Sequence, residues 1–249
     1  MPYALDLDGV IWLADHPIPG AAEAVARLQA TGEAVVFVTN NSSQPVAAVE
    51  AKLARHGVAA EGAVITSAMA AGRLLSPGER DLVCGGPGVV EAVEQCGAVP
   101  VVEGEADAVL VGFHREFDYE RMRIAATAVR LGARLLATND DATYPTPDGP
   151  IPGGGAILAS IATASGVAPI VAGKPHEAMA ELVRDRIGAS GLMVGDRPDT
   201  DGRFARVLGF GFALVHTGVT AVAEVVEPPP DLVATDLAAL VDQLLGAPA

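Results

Sequence analysis

The chain has 249 residues, of which 50% are hydrophobic and 4% aromatic, and its formal net charge is −15 at pH 7. This length allows one large domain or two of ordinary size, and the negative charge repels nucleic acids and anionic membrane surfaces, so we expect neither as a partner. Two cysteines are too few for a disulfide framework, and the N-terminal residues have no basic stretch followed by a long apolar one. We therefore expect reduced thiols in a soluble, cytoplasmic protein.

Short apolar strands alternate along the chain with longer, Ala-rich helices, which is the pattern of βαβ units in an α/β fold with a parallel sheet. The low aromatic content also favours this class over a β-sandwich. The predicted strands are residues 3–7, 34–38, 64–66, 82–84, 108–111, 135–137, 170–172, 192–194 and about 212–215. The predicted helices are residues 19–31, 45–57, 68–75, 89–96, 117–131, 156–165 and 175–187. Residues 139–155, rich in Asp, Pro and Gly, predict an irregular loop.

Two carboxylates follow the first predicted strand, in the motif Asp6-Leu7-Asp8-Gly9-Val10. Residues i and i+2 of a strand point to the same side, so we expect Asp6 and Asp8 to face one site at the carboxyl end of the sheet. Such a pair suits a nucleophile beside a proton shuttle, although a solvated turn would also explain it.

The second predicted strand runs into Thr39-Asn40-Asn41-Ser42 and then a helix. Hydroxyl, amide and free backbone N–H groups at such a junction can bind phosphate oxygens, and the same residues can also serve only as a helix cap.

A lysine in Gly173-Lys174-Pro175 follows another apolar strand and precedes a helix. Its charge would reduce the repulsion between an attacking carboxylate and a phosphate. A single lysine at this position is also consistent with an ordinary solvated side chain.

An acidic segment, Gly195-Asp196-Arg197-Pro198-Asp199-Thr200-Asp201, follows a further strand. Carboxylate oxygens of this kind suit Mg²⁺, and a charged surface turn is the simpler explanation for the segment alone. All four motifs follow predicted strands, so in one parallel sheet they would meet at one edge, and this coincidence favours a single active site.

In their order along the chain, the four motifs resemble those of haloacid dehalogenase (HAD) superfamily phosphatases, in the class IIA branch that includes NagD, phosphoglycolate phosphatase and pyridoxal phosphate phosphatase. The resemblance implies a Rossmann-like core and a Mg²⁺-dependent phosphatase. It assigns Asp6 as nucleophile and metal ligand, Asp8 as general acid and base that also meets the metal through its backbone carbonyl, and Asp196 as the remaining metal carboxylate.

The resemblance also implies roles for the other motif residues. Thr39, Asn40 and Asn41 would bind phosphate oxygens and Lys174 would bridge the phosphate and the nucleophile. Asp201 would support the water shell of the metal or Lys174.

A C2-type α/β cap domain is implied as an insertion, at residues 80–169, into a hydrolase core of residues 1–79 and 170–249. Cap residues Asn139, Asp141 and Tyr144 would contact the leaving group of a small phosphorylated metabolite, and relatives often form homodimers through their caps. His114 stands where relatives usually carry an aspartate, and Tyr144 where the pyridoxal phosphate enzymes have a histidine. The sequence therefore does not favour pyridoxal phosphate as the substrate.

The implied reaction forms an aspartyl-phosphate on Asp6, with Asp8 protonating the departing alkoxide and then activating water. Four alternatives remain: a dehalogenase, a phosphonate-cleaving enzyme, a catalytically silent module that binds phosphorylated metabolites, and transfer of the phosphoryl group to a second substrate. Asp8 argues against a dehalogenase, since a halide needs no acid, and the cap offers no obvious Schiff-base lysine for phosphonate cleavage.

Overall fold

The computed structural model describes residues 1–144, 146, 149–222 and 225–247. Its strands, in chain order, are β1 (Tyr3–Leu5), β2 (Trp12–Leu13), β3 (His16–Pro17), β4 (Val35–Thr39), β5 (Val64–Thr66), β6 (Arg80–Cys84), β7 (Val99–Val101), β8 (Ala108–Val111), β9 (Arg134–Ala137), β10 (Thr143–Tyr144), β11 (Ile151–Pro152), β12 (Ile170–Val171), β13 (Leu192–Gly195), β14 (Gly211–Val215) and β15 (Leu232–Ala234).

The helices are α1 (Ala21–Ala30), α2 (Val46–Arg55), α3 (Ser67–Gly72), α4 (Pro87–Gln95), α5 (Tyr119–Arg130), α6 (Gly154–Ser165), α7 (Glu177–Ile187), α8 (Arg203–Leu208) and α9 (Leu237–Leu245), and a π-helical turn spans Pro198–Gly202. Side-chain carboxylates cap two of them: Asp118 accepts from the N–H of Arg121 at α5 and Asp236 accepts from the N–H of Ala239 at α9, both at 2.8 Å. No helix among the described residues is long and apolar enough to span a membrane.

The described residues form two compact units. The first unit comprises residues 1–39, 47–65 and 180–249, and the second comprises residues 40–46 and 66–179. The first contains a six-stranded sheet in the order β15-β14-β13-β1-β4-β5, in which β1 pairs in parallel with both β4 and β13. The predicted α/β class with a parallel sheet is confirmed, whereas the predicted division into core and cap at residues 79/80 and 169/170 stays a prediction.

The second unit contains a five-stranded sheet in the order β12-β9-β8-β6-β7. Helices α5 and α6 cover one face of it, where Leu82 and Cys84 of β6 pack among buried residues such as Ala125 and Ile161. Because side chains alternate along a strand, Asp81 lies on the other face of β6 from Leu82.

Strand β12, which precedes Lys174, belongs to this five-stranded sheet, where Ile170 lies opposite Leu136 of β9. The expectation that all four motifs follow strands of one sheet is therefore wrong for the lysine motif. A two-residue apolar strand fits the edge of either sheet equally well, so its pairing partner could not be predicted from its composition.

The predicted loop at residues 139–155 contains a small antiparallel pair, in which Thr143 lies opposite Pro152 and Tyr144 opposite Ile151. The first turn of α6 begins at Gly154, inside the predicted loop. Residues 145, 147 and 148 of this loop lie outside the described residues.

Candidate active site

The first acidic motif lies in a turn that begins where β1 ends. The backbone N–H of Asp6 still donates to the carbonyl of Val194 at 2.9 Å, and the N–H of Ile11 donates to the carbonyl of Leu7 at 2.9 Å. Strand β1 ends at Leu5, so the expectation that Asp6 and Asp8 both belong to this strand is wrong, whereas the expectation that they face one site stays a prediction. A turn at this point nevertheless keeps both residues at the carboxyl end of β1.

Three carboxylates of the first unit meet in a buried cluster. Oxygen atoms of Asp6, Asp196 and Asp201 all lie within 4.8 Å of one another, and the three residues are 8%, 2% and 0% exposed. Anionic oxygens this close repel one another strongly when buried, and a divalent cation relieves that repulsion. Hard oxygen donors in this number suit Mg²⁺, so the cluster fits the predicted metal.

Asp196 is fixed by the backbone around it. Its Oδ2 accepts from the N–H of Val219 at 2.7 Å, and its carbonyl accepts from the hydroxyl of Thr220 at 2.6 Å. A Cβ atom at Gly218 would lie 1.9 Å from Asp196 Oδ2, and one at Gly9, where φ is +81°, would lie 2.5 Å from its Cγ. The carboxylate therefore fits only because two neighbouring positions carry no side chain.

Asp201 belongs to the π-helical turn that follows β13. Its Oδ2 accepts from the backbone N–H of Arg197 at 3.2 Å, and a Cβ at Gly195 would lie 2.2 Å from the same oxygen. Turns of this kind occur often at functional sites, because the extra residue redirects a side chain. The turn brings Asp201 to Asp196 although four residues separate them in the chain.

Two further motif residues lie in the first unit. Thr39 is the last residue of β4 and is 3% exposed. Asp8 accepts a hydrogen bond at Oδ1 from the indole Nε1 of Trp12 at 3.0 Å.

In the second unit, the carboxamide of Asn40 connects two other motif segments. Its Oδ1 accepts from the backbone N–H of Lys174 at 2.8 Å, while its Nδ2 donates to the carbonyl of Lys174 and to Oδ2 of Asp141, both at 3.0 Å. Both amide hydrogens and the amide oxygen of Asn40 are thus engaged within the chain.

Lys174 is almost fully buried, at 2% exposure. A Cβ on Gly173 would lie 2.4 Å from the carbonyl oxygen of Thr138 and 2.6 Å from Oδ1 of Asn40, so only glycine allows the chain to pass there. The backbone of Lys174 is therefore held from both sides, and its side chain is among the largest that are fully buried.

Asn139 is buried and supports its surroundings. Its Nδ2 donates to the carbonyl of Asn40 at 2.7 Å and its Oδ1 accepts from the N–H of Asp141 at 3.2 Å. Nε2 of His176 and Oδ2 of Asp140 form a hydrogen bond at 3.3 Å, and this bond lowers the pKa of the Asp140 carboxyl. These bonds fix the start of the loop that the sequence assigns to substrate contact.

Tyr144 stacks on Phe113 with 4.9 Å between the ring centroids, and its hydroxyl accepts from Nδ2 of Asn41 at 3.4 Å. These two contacts orient the tyrosine ring before any substrate arrives.

His114 lies next to Phe113 in the chain. Burial, and to a smaller extent Arg121, lowers the pKa of His114 below its ordinary value, which favours the neutral imidazole.

Sequence reasoning missed the residues that hold the carboxylates in place. Trp12, Thr220 and the backbone of Val219 belong to no predicted motif, and no functional role was predicted for the segment after β14. A weak signal was present, since Thr217-Gly218 lies one residue beyond the end of β14, close to a strand end as the other motifs are.

Two family models match the chain. One, described as haloacid dehalogenase-like hydrolase, covers residues 3–99, and the other, described as HAD-hydrolase-like, covers residues 171–240. The 5'-nucleotidase YutF of Bacillus subtilis is 36% identical over 225 residues, which cover 88% of each chain.

Solved structures agree with these matches. The glycerol phosphate phosphatase of Mycobacterium tuberculosis, in complex with magnesium, superposes with a TM-score of 0.88 at 34% identity, covering 100% of this chain and 80% of that one. The 4-nitrophenylphosphatase of Thermotoga maritima superposes with a TM-score of 0.90 at 31% identity, covering 97% and 96%. The acidic cluster, the fold and the order of the motifs thus occur in a chain similar to named phosphatases over nearly its whole length.

Proposed function

Because the chain belongs to the haloacid dehalogenase-like hydrolases, in their phosphatase branch, we propose that it hydrolyses small organic phosphate monoesters with Mg²⁺ through an aspartyl-phosphate on Asp6. The observation that carries the proposal is the buried cluster of Asp6, Asp196 and Asp201. Buried carboxylates are costly to maintain without a cation, so a cluster of three indicates a metal centre rather than a structural role.

Asp6, the backbone carbonyl of Asp8 and Asp196 would hold the metal, and Asp201 would support its water shell. When bound, Mg²⁺ supplies positive charge that reduces the repulsion between a carboxylate and a phosphate dianion. This matters more than usual in a chain whose net charge is −15.

The reaction begins when the carboxylate of Asp6 attacks phosphorus in line with the departing oxygen. The ester P–O bond breaks as the new bond to Asp6 forms, and Asp8 gives its proton to the leaving alkoxide. Asp8, now ionised, takes a proton from water, and the resulting attack on phosphorus releases phosphate and restores Asp6.

Thr39, Asn41 and Lys174 would bind the phosphoryl group directly. Asn40 would contribute through Lys174, since the amide oxygen and both amide hydrogens of Asn40 already hydrogen bond within the chain. A lysine whose backbone is held at two points loses less conformational entropy when its ammonium group meets a phosphate.

Substrates would be small phosphorylated metabolites such as glycerol phosphate, sugar phosphates or nucleoside monophosphates, the kinds of ester that the relatives' names indicate. Asp141 and Tyr144 would contact the leaving group, and Asn139 would act through them by holding the loop. Both cysteines are free thiols, which supports a reducing, cytoplasmic location. A homodimer through the cap stays a prediction.

Phosphate release from a panel of monoesters, with and without Mg²⁺, tests the proposal directly. Wild type should release phosphate only with the metal, and Asp6→Asn should lower the rate at least about 1,000-fold, because the amide is a poor nucleophile. Asp199→Asn is the matched control, since Asp199 lies close in sequence to the cluster and its side chain is 62% exposed. Substantial hydrolysis by Asp6→Asn would sink the nucleophile assignment, and silence of the wild type across the panel would favour the binding-module alternative.

A further inference from the structure

Trp12 donates a hydrogen bond from its indole Nε1 to Oδ1 of Asp8, at 3.0 Å, and is itself 3% exposed. Asp8 is the acid and base of the proposed reaction, and nothing in the motifs accounts for a tryptophan beside it. We propose that Trp12 is a positioning residue that sets the orientation of the Asp8 carboxyl for proton transfer to the leaving group. This inference rests on the proposed function.

The backbone holds Trp12 and Asp8 together. The N–H of Gly9 donates to the carbonyl of Trp12 at 2.7 Å, and the N–H of Trp12 donates to the carbonyl of Leu7 at 3.3 Å. Gly9 adopts φ of +81°, which allows the chain to double back within these few residues. The indole therefore meets the carboxyl from a fixed backbone.

A cation lies on the face of the indole. Nζ of Lys52, from α2, is 4.2 Å from the ring centroid, donates to the carbonyl of Ala14 at 2.8 Å and pairs with Asp15 at 3.2 Å. The imidazole of His56 also contacts the indole, tilted by 49° with the centroids 5.7 Å apart. A cation over the ring withdraws electron density from it, which strengthens the N–H as a donor.

The hydrogen bond distinguishes the two oxygens of Asp8. A carboxyl oxygen that accepts from a fixed N–H is a poor place for a transferable proton, so the geometry assigns proton transfer to Oδ2. A carboxyl that rotates freely would present the proton in the correct orientation only part of the time. Fixing one oxygen thus raises the rate of any step that needs the acid.

This role predicts a dependence on the leaving group. An alkoxide such as that of glycerol phosphate needs protonation as it departs, whereas 4-nitrophenolate leaves readily without it. Removal of the indole N–H should therefore slow hydrolysis of the alkyl ester far more than that of the nitrophenyl ester. A residue that only stabilises the fold would slow both esters equally.

The experiment compares kcat/KM for glycerol phosphate and 4-nitrophenyl phosphate in wild type and Trp12→Phe. We expect Trp12→Phe to lower kcat/KM about 10- to 100-fold for the alkyl ester and less than about 3-fold for the nitrophenyl ester. The loss on the alkyl ester is smaller than the full effect of removing a general acid, because Asp8 is still present. Since Trp12 is the single tryptophan of the chain, biosynthetic replacement by benzothienylalanine gives a second variant with sulfur in place of N–H. It keeps the shape of the ring if the phenylalanine packs poorly.

Replacement with 7-azatryptophan, which retains the N–H, is the matched control and should behave as wild type. Equal losses on both esters, or no loss with benzothienylalanine, would overturn the role of Trp12 while leaving the proposed function intact. A wild type inactive on both esters and on the wider panel would overturn the proposed function, and the role of Trp12 with it.

Discussion

Replacing Asp81 with Asn should remove a pH dependence from the stability of the protein. Asp81 is 0% exposed in β6, and neither carboxylate oxygen has a hydrogen-bond partner of normal geometry among the described residues. The pKa of Asp81 is raised from 3.8 to about 7, mainly by burial. Smaller contributions come from Glu79, which raises the pKa, and from Arg134 and the backbone N–H of Leu110, which lower it. The folded protein therefore keeps a proton on Asp81 that the unfolded chain loses at lower pH.

The sign of the effect follows from linkage. Because folding raises this pKa, Asp81 costs nothing well below pH 4, and the cost grows with pH until it levels off above pH 7 at about 4 kcal/mol. Between pH 5 and pH 8, the two pKa values give a fall of about 2.5 kcal/mol in the free energy of unfolding. Asn cannot ionise, so the free energy of unfolding of Asp81→Asn should not show this decrease between pH 5 and pH 8. The buried amide of Asn costs about 1–3 kcal/mol of its own, but by the same amount at each pH.

Urea unfolding followed by circular dichroism at several pH values between 5 and 8 measures the fall directly. The fluorescence of Trp12, in the first unit, separates unfolding of that unit from unfolding of the second, which contains Asp81. Glu103→Gln, at an exposed position of the same unit, controls for the loss of one negative charge. If the free energy of unfolding of Asp81→Asn falls with pH as steeply as that of wild type, Asp81 is not the responsible group.

Three further predictions concern the site. Gly218→Ala should reduce activity at least about 100-fold and abolish the rise in melting temperature with Mg²⁺, because its Cβ would lie 1.9 Å from Oδ2 of Asp196; unchanged metal stabilisation would contradict this. EDTA should lower the melting temperature of wild type and of Asp199→Asn, which keep the metal site, whereas Asp196→Asn should show no response; a full response would exclude Asp196 as a ligand. Asn40→Asp should lose at least about 10-fold more activity than Asn40→Ala, because a carboxylate would face the carbonyl of Lys174; equal losses would show that this contact is unimportant.

Most of the fold followed from the alternation of apolar strands with Ala-rich helices. Strands β5 and β8 have the predicted bounds, and the bounds of the other predicted elements differ by only one to three residues. Some elements were missed for a physical reason. Strand β7 contains Pro100 in the middle of its three residues, and proline is tolerated there because β7 is the edge strand of its sheet, where one backbone N–H needs no partner. Strand β15 and helix α9 follow a Pro-rich segment, beyond the last predicted strand at about residues 212–215.

The predicted phosphatase of the HAD superfamily is confirmed by the family models and by the named relatives. The site was only partly predictable. Sequence order identified Asp6, Asp196 and Asp201, and the structure brings their carboxylates together, because each follows a strand of one sheet. Hydrogen-bond partners that lie far apart in the chain, such as Asn40 and Lys174, could not be predicted, since no local pattern encodes the pairing of two distant loops.

Some glycines are needed for the geometry of the site, but the sequence alone could not show which ones. The chain has 28 glycines, so any one of them is weak evidence for a functional position. Three differ from the rest, because a Cβ atom at Gly9, Gly195 or Gly218 would collide with a carboxylate of the cluster. Two of these three are adjacent in sequence to Asp8 or Asp196, and the third closely follows β14. Carboxylates that share one cation must lie close together, and neighbouring side chains would occupy the space that they need. A glycine directly beside an acidic residue at a strand end is therefore a more specific indication of a metal site than either residue alone.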